Sequence, residues 1–297
     1  MRFAFLGSWG LALFGAATTA ASVGDEYVRE IEQWRAASEE RLKSADGWLT
    51  VSGLYWLQPG DTRFGSAPGN RIVLPAEAAP QFAGVLRYDG ERVQVIPLGN
   101  IALFVGDQPV LNATLLQDDS NGPPDTIKLG DVSMLLIKRG DRLGVRIKDK
   151  NAKLRLEFTH RNWFPVKPGY RVNARYHAYA KPIKRRVPTV LDGVVEDHEA
   201  IGTADFTLNG QKLSLEALKS GAELFFVFRD QTANKQTYGA ARFLYAPVPK
   251  NGNQVVLDFN KAYNPPCAFN PYTTCPLPVK QNILQLAIEA GELKYHD

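Results

Sequence analysis

The side chains with the most chemical potential sit in the last third of the sequence, where "ELFFVFRD", "TYGAARFLY" and "NQVVLDFN" lead into "KAYNPPCAFNPYTTCPLP". Strand alternation in "VVLDFN" sets Asp258 and Asn260 on one side and Val255, Leu257 and Phe259 on the other, so a carboxylate and an amide project together beside an apolar face. Arg229, Asp230, Tyr238 and Arg242 come from the two preceding strands, which an antiparallel meander would bring alongside. Arg229 or Arg242 opposite Asp258 would make a bidentate pair or, with an anionic ligand, a clamp. Tyr263 and Asn264 follow, and Pro265 and Pro266 keep that turn extended and stiff. Rigid polar loops at strand ends commonly carry binding groups. The expectation is a site for a small polar, possibly anionic, ligand formed by these eight residues. A second reading is a hydrolase with Asp258 as general base and Asn260 and Arg242 stabilising negative charge. A third is a structural or assembly protein docking through an exposed sheet edge. Against all three stands the plainer role of Asn and Asp in such loops, which is to satisfy their own backbone.

Familiar mechanisms find no footing. There is no G-x-S-x-G, no G-x-G-x-x-G and no P-loop glycine–lysine motif. The four histidines and two cysteines show no metal-ligand spacing, so neither metal nor cofactor is implied. Thirty-five basic and 31 acidic side chains leave a formal charge of +4 without a basic stripe, so nucleic acid is not implied either. No protein partner is identified.

Residues 1–21 join a lone Arg2 to an apolar run and small residues, the pattern of a signal peptide, with no membrane segment after its removal. The protein is therefore expected in the periplasm or outside the cell. Such a compartment lets Cys267 and Cys275 pair as a disulfide, worth about 2–3 kcal/mol for so short a loop.

The elements needed to hold these residues are mainly β. Residues 22–47 carry one amphipathic helix, with Tyr27, Ile31, Trp34 and Leu42 on its apolar stripe. From 48 to 148, short apolar runs alternate with Gly, Pro and Asp turns at sandwich cadence, and 149–297 forms a second antiparallel β-domain. Within the latter, "LSLEALKSG" reads as a short helix capped by Ser214, and "NILQLAIEAGELKY" fits a strand or a helical turn equally. Trp48, Trp56 and Trp163 read as core.

The run "GDTRFGSAPGNRIVLPAEAAPQFAGVLRYDGERVQVIP" resembles a forkhead-associated (FHA) domain, which implies a β-sandwich. That family holds phosphothreonine with an Arg after the motif glycine and a Ser and His in the next loop. This sequence has Ser66 after Gly65, then Ala79 and Phe82, so the resemblance implies the architecture without the phosphate chemistry. "RDQTANKQTYGAARFLYAPV" and "LDFNKAYNPPCAFNPYTTCPLPVKQNILQLAIEAGE", with the earlier "WFPVKPGYRVNARY", resemble the DUF1684 family, a prokaryotic group whose role is unassigned.

Overall fold

The computed structural model describes residues 23–296, so the signal-peptide assignment at 1–21 lies outside the described residues. Helix α1 (Val23–Lys43) begins with Asp25 and Glu26 and ends with Arg41 and Lys43, which places each charge against the helix-dipole end that favours it. Its stripe buries Ile31 completely and Leu42 almost so.

The strands that follow are β1 (Val51–Trp56), β2 (Gly60–Gly65), β3 (Ile72–Val73), β4 (Gly84–Tyr88), β5 (Val93–Pro97), β6 (Phe104–Val105), β7 (Gln108–Pro109), β8 (Thr114–Leu116), β9 (Thr126–Leu129), β10 (Val132–Arg139) and β11 (Arg142–Asp149). They build two sheets, ordered β1-β11-β10-β9-β6-β7 and β3-β2-β4-β5-β8. Alternate residues of both sheets meet in one core: Phe64, Ile72, Leu86 and Val95 from one, Ile127, Met134, Val145 and Ile147 from the other. This is the sandwich that the turn cadence predicts.

After a short helix α2 (Lys153–Glu157), six strands form one antiparallel sheet: β12 (Arg171–Pro188), β13 (Val195–Leu208), β14 (Gln211–Ser220), β15 (Glu223–Phe228), β16 (Arg242–Pro247) and β17 (Gln254–Asp258). Its order is β16-β15-β14-β13-β12-β17. The two edge strands nevertheless approach within 8 Å Cα–Cα, so the sheet is rolled toward a barrel. Phe206, Phe226, Phe228, Leu244 and Leu257 fill its inside. Phe225, Val227 and Phe243 face outward beneath the loop that carries Tyr263, Cys267 and Cys275. The β12–β13 register shifts between Ala178 and Ile183, around Pro182, which has no N–H to give the ladder.

Two local expectations change. "LSLEALKSG" is strand β14, not a helix. Leu215 and Ala217 alternate into the core, and Ser214 donates to Asp205 across the β13–β14 ladder at 2.7 Å instead of capping a helix. The C-terminal run is neither strand nor helix. After one 3-10 turn at Lys280–Asn282 it lies extended, with Ile288 and Ala290 sealing the rolled sheet.

The far end of the β12–β13 hairpin reaches back to the sandwich. Arg139, ending β10, contacts Glu196 at 2.6 Å and Asp119 at 2.7 Å, and Glu196 also accepts from Thr274 at 2.9 Å. Burial pushes Glu196 up, but His198, Arg139 and Thr274 outweigh it and hold the carboxyl below its ordinary range. A depressed folded-state pKa means that the stabilisation is complete above the unfolded value near pH 4.3 and is lost as pH falls through the folded one. Glu196→Gln is therefore expected to lower the melting temperature at neutral pH and to flatten its fall below about pH 4.3. Thermal scans across pH check this, and an unchanged acid limb would contradict the assignment.

Candidate functional site

The eight residues singled out in the sequence divide into three groups. Arg242 and Asp230 form a buried ion pair inside one end of the rolled sheet, each side chain 1% exposed. Arg242 also donates to Ala290 O at 2.5 Å and Ile288 O at 3.1 Å, while Asp230 accepts from Thr232 and from Ile288 N. Both side chains are thus tied to the protein's own backbone and to each other, with Arg242 Nε buried without a partner. Arg242 does not face Asp258, because it sits opposite Phe228, whose ring it overlies and which points inward, whereas Asp258 follows inward-facing Leu257 and points out. Half-buried Arg229 lends its backbone to the Asn282–Leu284 segment, and Tyr238 donates to Cys267 O at 3.3 Å.

Asp258 and Asn260 do project together, and what they hold is helix α1. The Tyr27 hydroxyl lies 2.8 and 2.9 Å from the two Asp258 oxygens and accepts from Asn260 Nδ2 at 3.0 Å. Asp258 also caps the 3-10 turn Phe259–Lys261 by accepting from Asn260 N at 3.1 Å. Asn260 exchanges bonds with both the N–H and C=O of Lys167 at 2.9 Å. Nearby, Lys261 pairs with Glu30 at 2.7 Å. Burial, then Asp258, drives the Tyr27 phenol well above its ordinary range. Asp258, the candidate general base, thus has its carboxylate committed to structural donors.

Tyr263 and Asn264 are different, because they line a cleft of about 640 Å³ between α1 and the outer face of β15 and β16. Its walls are aromatic: Trp34 from α1, Trp48, Phe243, Tyr245, Tyr263 and Phe269. Trp48, which reads as core in the sequence, is 40% exposed at this site. Tyr245 and Tyr263 lie nearly parallel, centroids 6.4 Å apart. Burial raises both phenols. Gly47 completes the wall where the chain leaves α1; a Cβ there would lie 2.2 Å from Leu42 O, so no larger residue fits.

Beneath the aromatic walls lies a second buried ion pair. Arg161 donates to Glu292 at 2.5 Å and to Ser38 of α1 at 2.9 Å, with its guanidinium over Trp163 at 4.7 Å. Burial pushes the Glu292 carboxyl up, against Arg161 and the Asn264 N–H, which favour the charged form. Asn264 is held from two sides: its N–H donates to Glu292 at 2.8 Å and its Nδ2 to Leu293 O at 2.7 Å. Its Oδ1 is buried without a partner.

The expected disulfide is replaced by two free thiols. Cys267 N donates to Cys275 Sγ at 3.2 Å, and the turn is closed by Ala268 N to Pro265 O and Phe269 N to Pro266 O, both at 3.0 Å, so hydrogen bonds and prolines fix this loop without a covalent bridge. Among the described residues no group of three or more His, Cys, Asp or Glu is arranged to hold a metal, and no helix is long and apolar enough to cross a membrane.

Sequence reasoning located Tyr263 and Asn264 but missed Arg161, Glu292, Ser38 and Tyr245. Arg161 and Glu292 are 131 positions apart, and although Glu292 closes the DUF1684-like run, nothing in the sequence marks Arg161 as its partner. Trp34 is visible only as one member of an apolar stripe.

Two stability tests follow from this geometry. Tyr27→Phe removes the hydroxyl that joins α1 to Asp258 and Asn260, and is expected to cost about 1–3 kcal/mol in urea unfolding. Arg242→Met strands Asp230 in the core and is expected to cost about 3–5 kcal/mol, with Asp230→Asn in the same chain restoring part of the loss. A single variant as stable as the wild type would refute the pairing.

The family described as "Protein of unknown function (DUF1684)" matches residues 156–293. No curated protein matches the chain. Among solved structures, an uncharacterized protein of Haloarcula marismortui, determined by solution NMR, is 31% identical over 47% of this chain and 78% of its own, with a TM-score of 0.40. The FhaA FHA domain, complexed with a partner's intracellular domain, is 18% identical over 32% of this chain and 97% of its own, TM-score 0.23. Mycobacterium tuberculosis EmbR in complex with a low-affinity phosphopeptide is 16% identical over 43% of this chain and 32% of its own, TM-score 0.23.

Proposed function

Starting from a chain that belongs to the DUF1684 family, a family of unknown function, we propose that it is a small-molecule-binding protein of the cell envelope whose ligand enters the aromatic cleft between α1 and the rolled sheet. The observation that carries this reading is the cleft itself. Its volume of about 640 Å³ lies within the roughly 300–1,000 Å³ range of ligand sites, and its lining matches their usual make-up of aromatic walls with a few fixed polar groups. The polar groups are pre-positioned, since Arg161 and Asn264 are both bonded to one carboxylate, Glu292. Such prior ordering removes part of the entropic cost of binding. The envelope location rests on the leader-like residues 1–21 and is checked by fractionating cells that express the full chain.

Within the original set of eight, Tyr263 and Asn264 belong to this site, and the buried pair and the Asp258–Asn260 clasp hold the elements that frame it. Native purification followed by mass spectrometry of molecules released on unfolding tests the reading. The wild type is expected to release a bound small molecule that Tyr245→Ala, lacking one aromatic wall, no longer retains. Equal loads in the two proteins, or none in either, would refute it.

A further inference from the structure

The polar make-up of the cleft narrows the class of ligand. The charged residues at its surface are Arg41 and Arg161 on one side of the balance and Asp46 and Glu223 on the other. Arg161 is the only cation at the floor, and its charge is already matched by Glu292, both side chains being at most 2% exposed. A ligand carboxylate or phosphate would therefore meet a neutralised guanidinium together with a buried anion, and would lose hydration without gaining an unpaired cation. A cationic ligand would have the aromatic walls in its favour but would find no net negative charge, since Asp46 and Glu223 are offset by Arg41 and Arg161. The arrangement favours an uncharged ligand over either.

Two polar atoms of the residues lining the cleft make no hydrogen bond, the donor Arg161 Nε and the acceptor Asn264 Oδ1, and the acceptor is the one the ligand's chemistry turns on. Asn264 is 2% exposed and lines the cleft, and its Oδ1 has no partner. The amide cannot be turned to relieve this, because Nδ2 donates to Leu293 O at 2.7 Å and a flipped amide would set two oxygens against each other there. A buried acceptor in this condition calls for a donor. The walls around it are rings, which suit the flat or C–H-rich face of another ring.

Building on the cleft as the binding site, we infer that its ligand is an uncharged ring compound bearing an O–H or N–H donor, which Asn264 Oδ1 accepts while the rings of Trp34, Tyr245 and Tyr263 flank its apolar face. Two kinds of molecule share this chemistry, a sugar ring and an N–H heteroaromatic ring, and they separate by experiment.

The test is calorimetric titration or ligand-detected NMR on the full mature chain, using a library of uncharged ring fragments in matched pairs. It includes indole against benzofuran, and methyl glucoside against its fully O-methylated form. Indole-3-acetate and tryptamine supply the anionic and cationic versions of one ring. In at least one pair the donor-bearing member is expected to bind about tenfold more tightly, the order of one buried hydrogen bond. Asn264→Ala should erase that preference while leaving the donor-blocked member's affinity unchanged, a comparison that stays valid if the variant is somewhat less stable but folded. Binding with no donor preference, or tighter binding of a charged analogue, would overturn this inference and leave the cleft as a site. A library in which nothing binds would overturn both.

Discussion

Glu292 is a carboxylate 1% exposed, and a charge so buried persists only where its lone pairs are taken. Arg161 and the Asn264 N–H take them, and the architecture around the cleft follows from that requirement. Arg161 brings the loop before β12 and, through Ser38, helix α1. Asn264 brings the proline-braced turn. The Glu292 backbone bonds Ala262 O, and Leu293 bonds Asn162 O, at 2.8 Å each. Three remote stretches of chain thus converge on one side chain, and the cleft is the space they cannot fill between them.

The Arg242–Asp230 pair plays a parallel part a few residues away. Its guanidinium binds the carbonyls of Ile288 and Ala290, so two buried acceptors of the C-terminal run, which forms no regular strand, are satisfied by an arginine inside the sheet. Replacing such a pair with apolar groups can be neutral for stability, while removing one partner is not. The pair fits a positioning role, because an apolar plug would fill the same volume without fixing where residues 288–290 run.

Helix α1 supplies one wall of the cleft and is secured at two places, one away from the cleft and one within it. The Tyr27–Asp258–Asn260 clasp holds its first turns, and Arg161 with Ser38 holds its later ones. Because the first turns are fastened away from the lining, Trp34 can be set by fit to the space, while Ser38 serves both as lining and as fastening. It also explains why polar residues grouped by strand alternation need not be binding residues. Asp258 and Asn260 share a side, as the alternation of "VVLDFN" requires, yet that side faces the protein's own helix.

Much of the fold was legible in the chain because its signals are local. Period-2 patterns gave the sandwich strands, the stripe of Tyr27, Ile31, Trp34 and Leu42 gave α1, and Pro265 and Pro266 gave the rigid turn. Where local signals competed, the sheet prevailed: the helix-prone "LSLEALKSG" is a strand because neighbours on both sides complete its hydrogen bonds and its Leu215 and Ala217 are needed inside. What no pattern could convey was which charge meets which. Asp230, Asp258 and Glu292 are each a carboxylate near a turn, and the choice of Arg242, Tyr27 and Arg161 as their partners depends on how far the sheet rolls and which way each side chain exits it. Sequence alone determined the sandwich strands and the stiff polar loop. Tertiary structure alone decided that most of those polar groups face protein and that Tyr263 and Asn264 face a cleft, because burial and partner distance are properties of the closed fold and not of the strand.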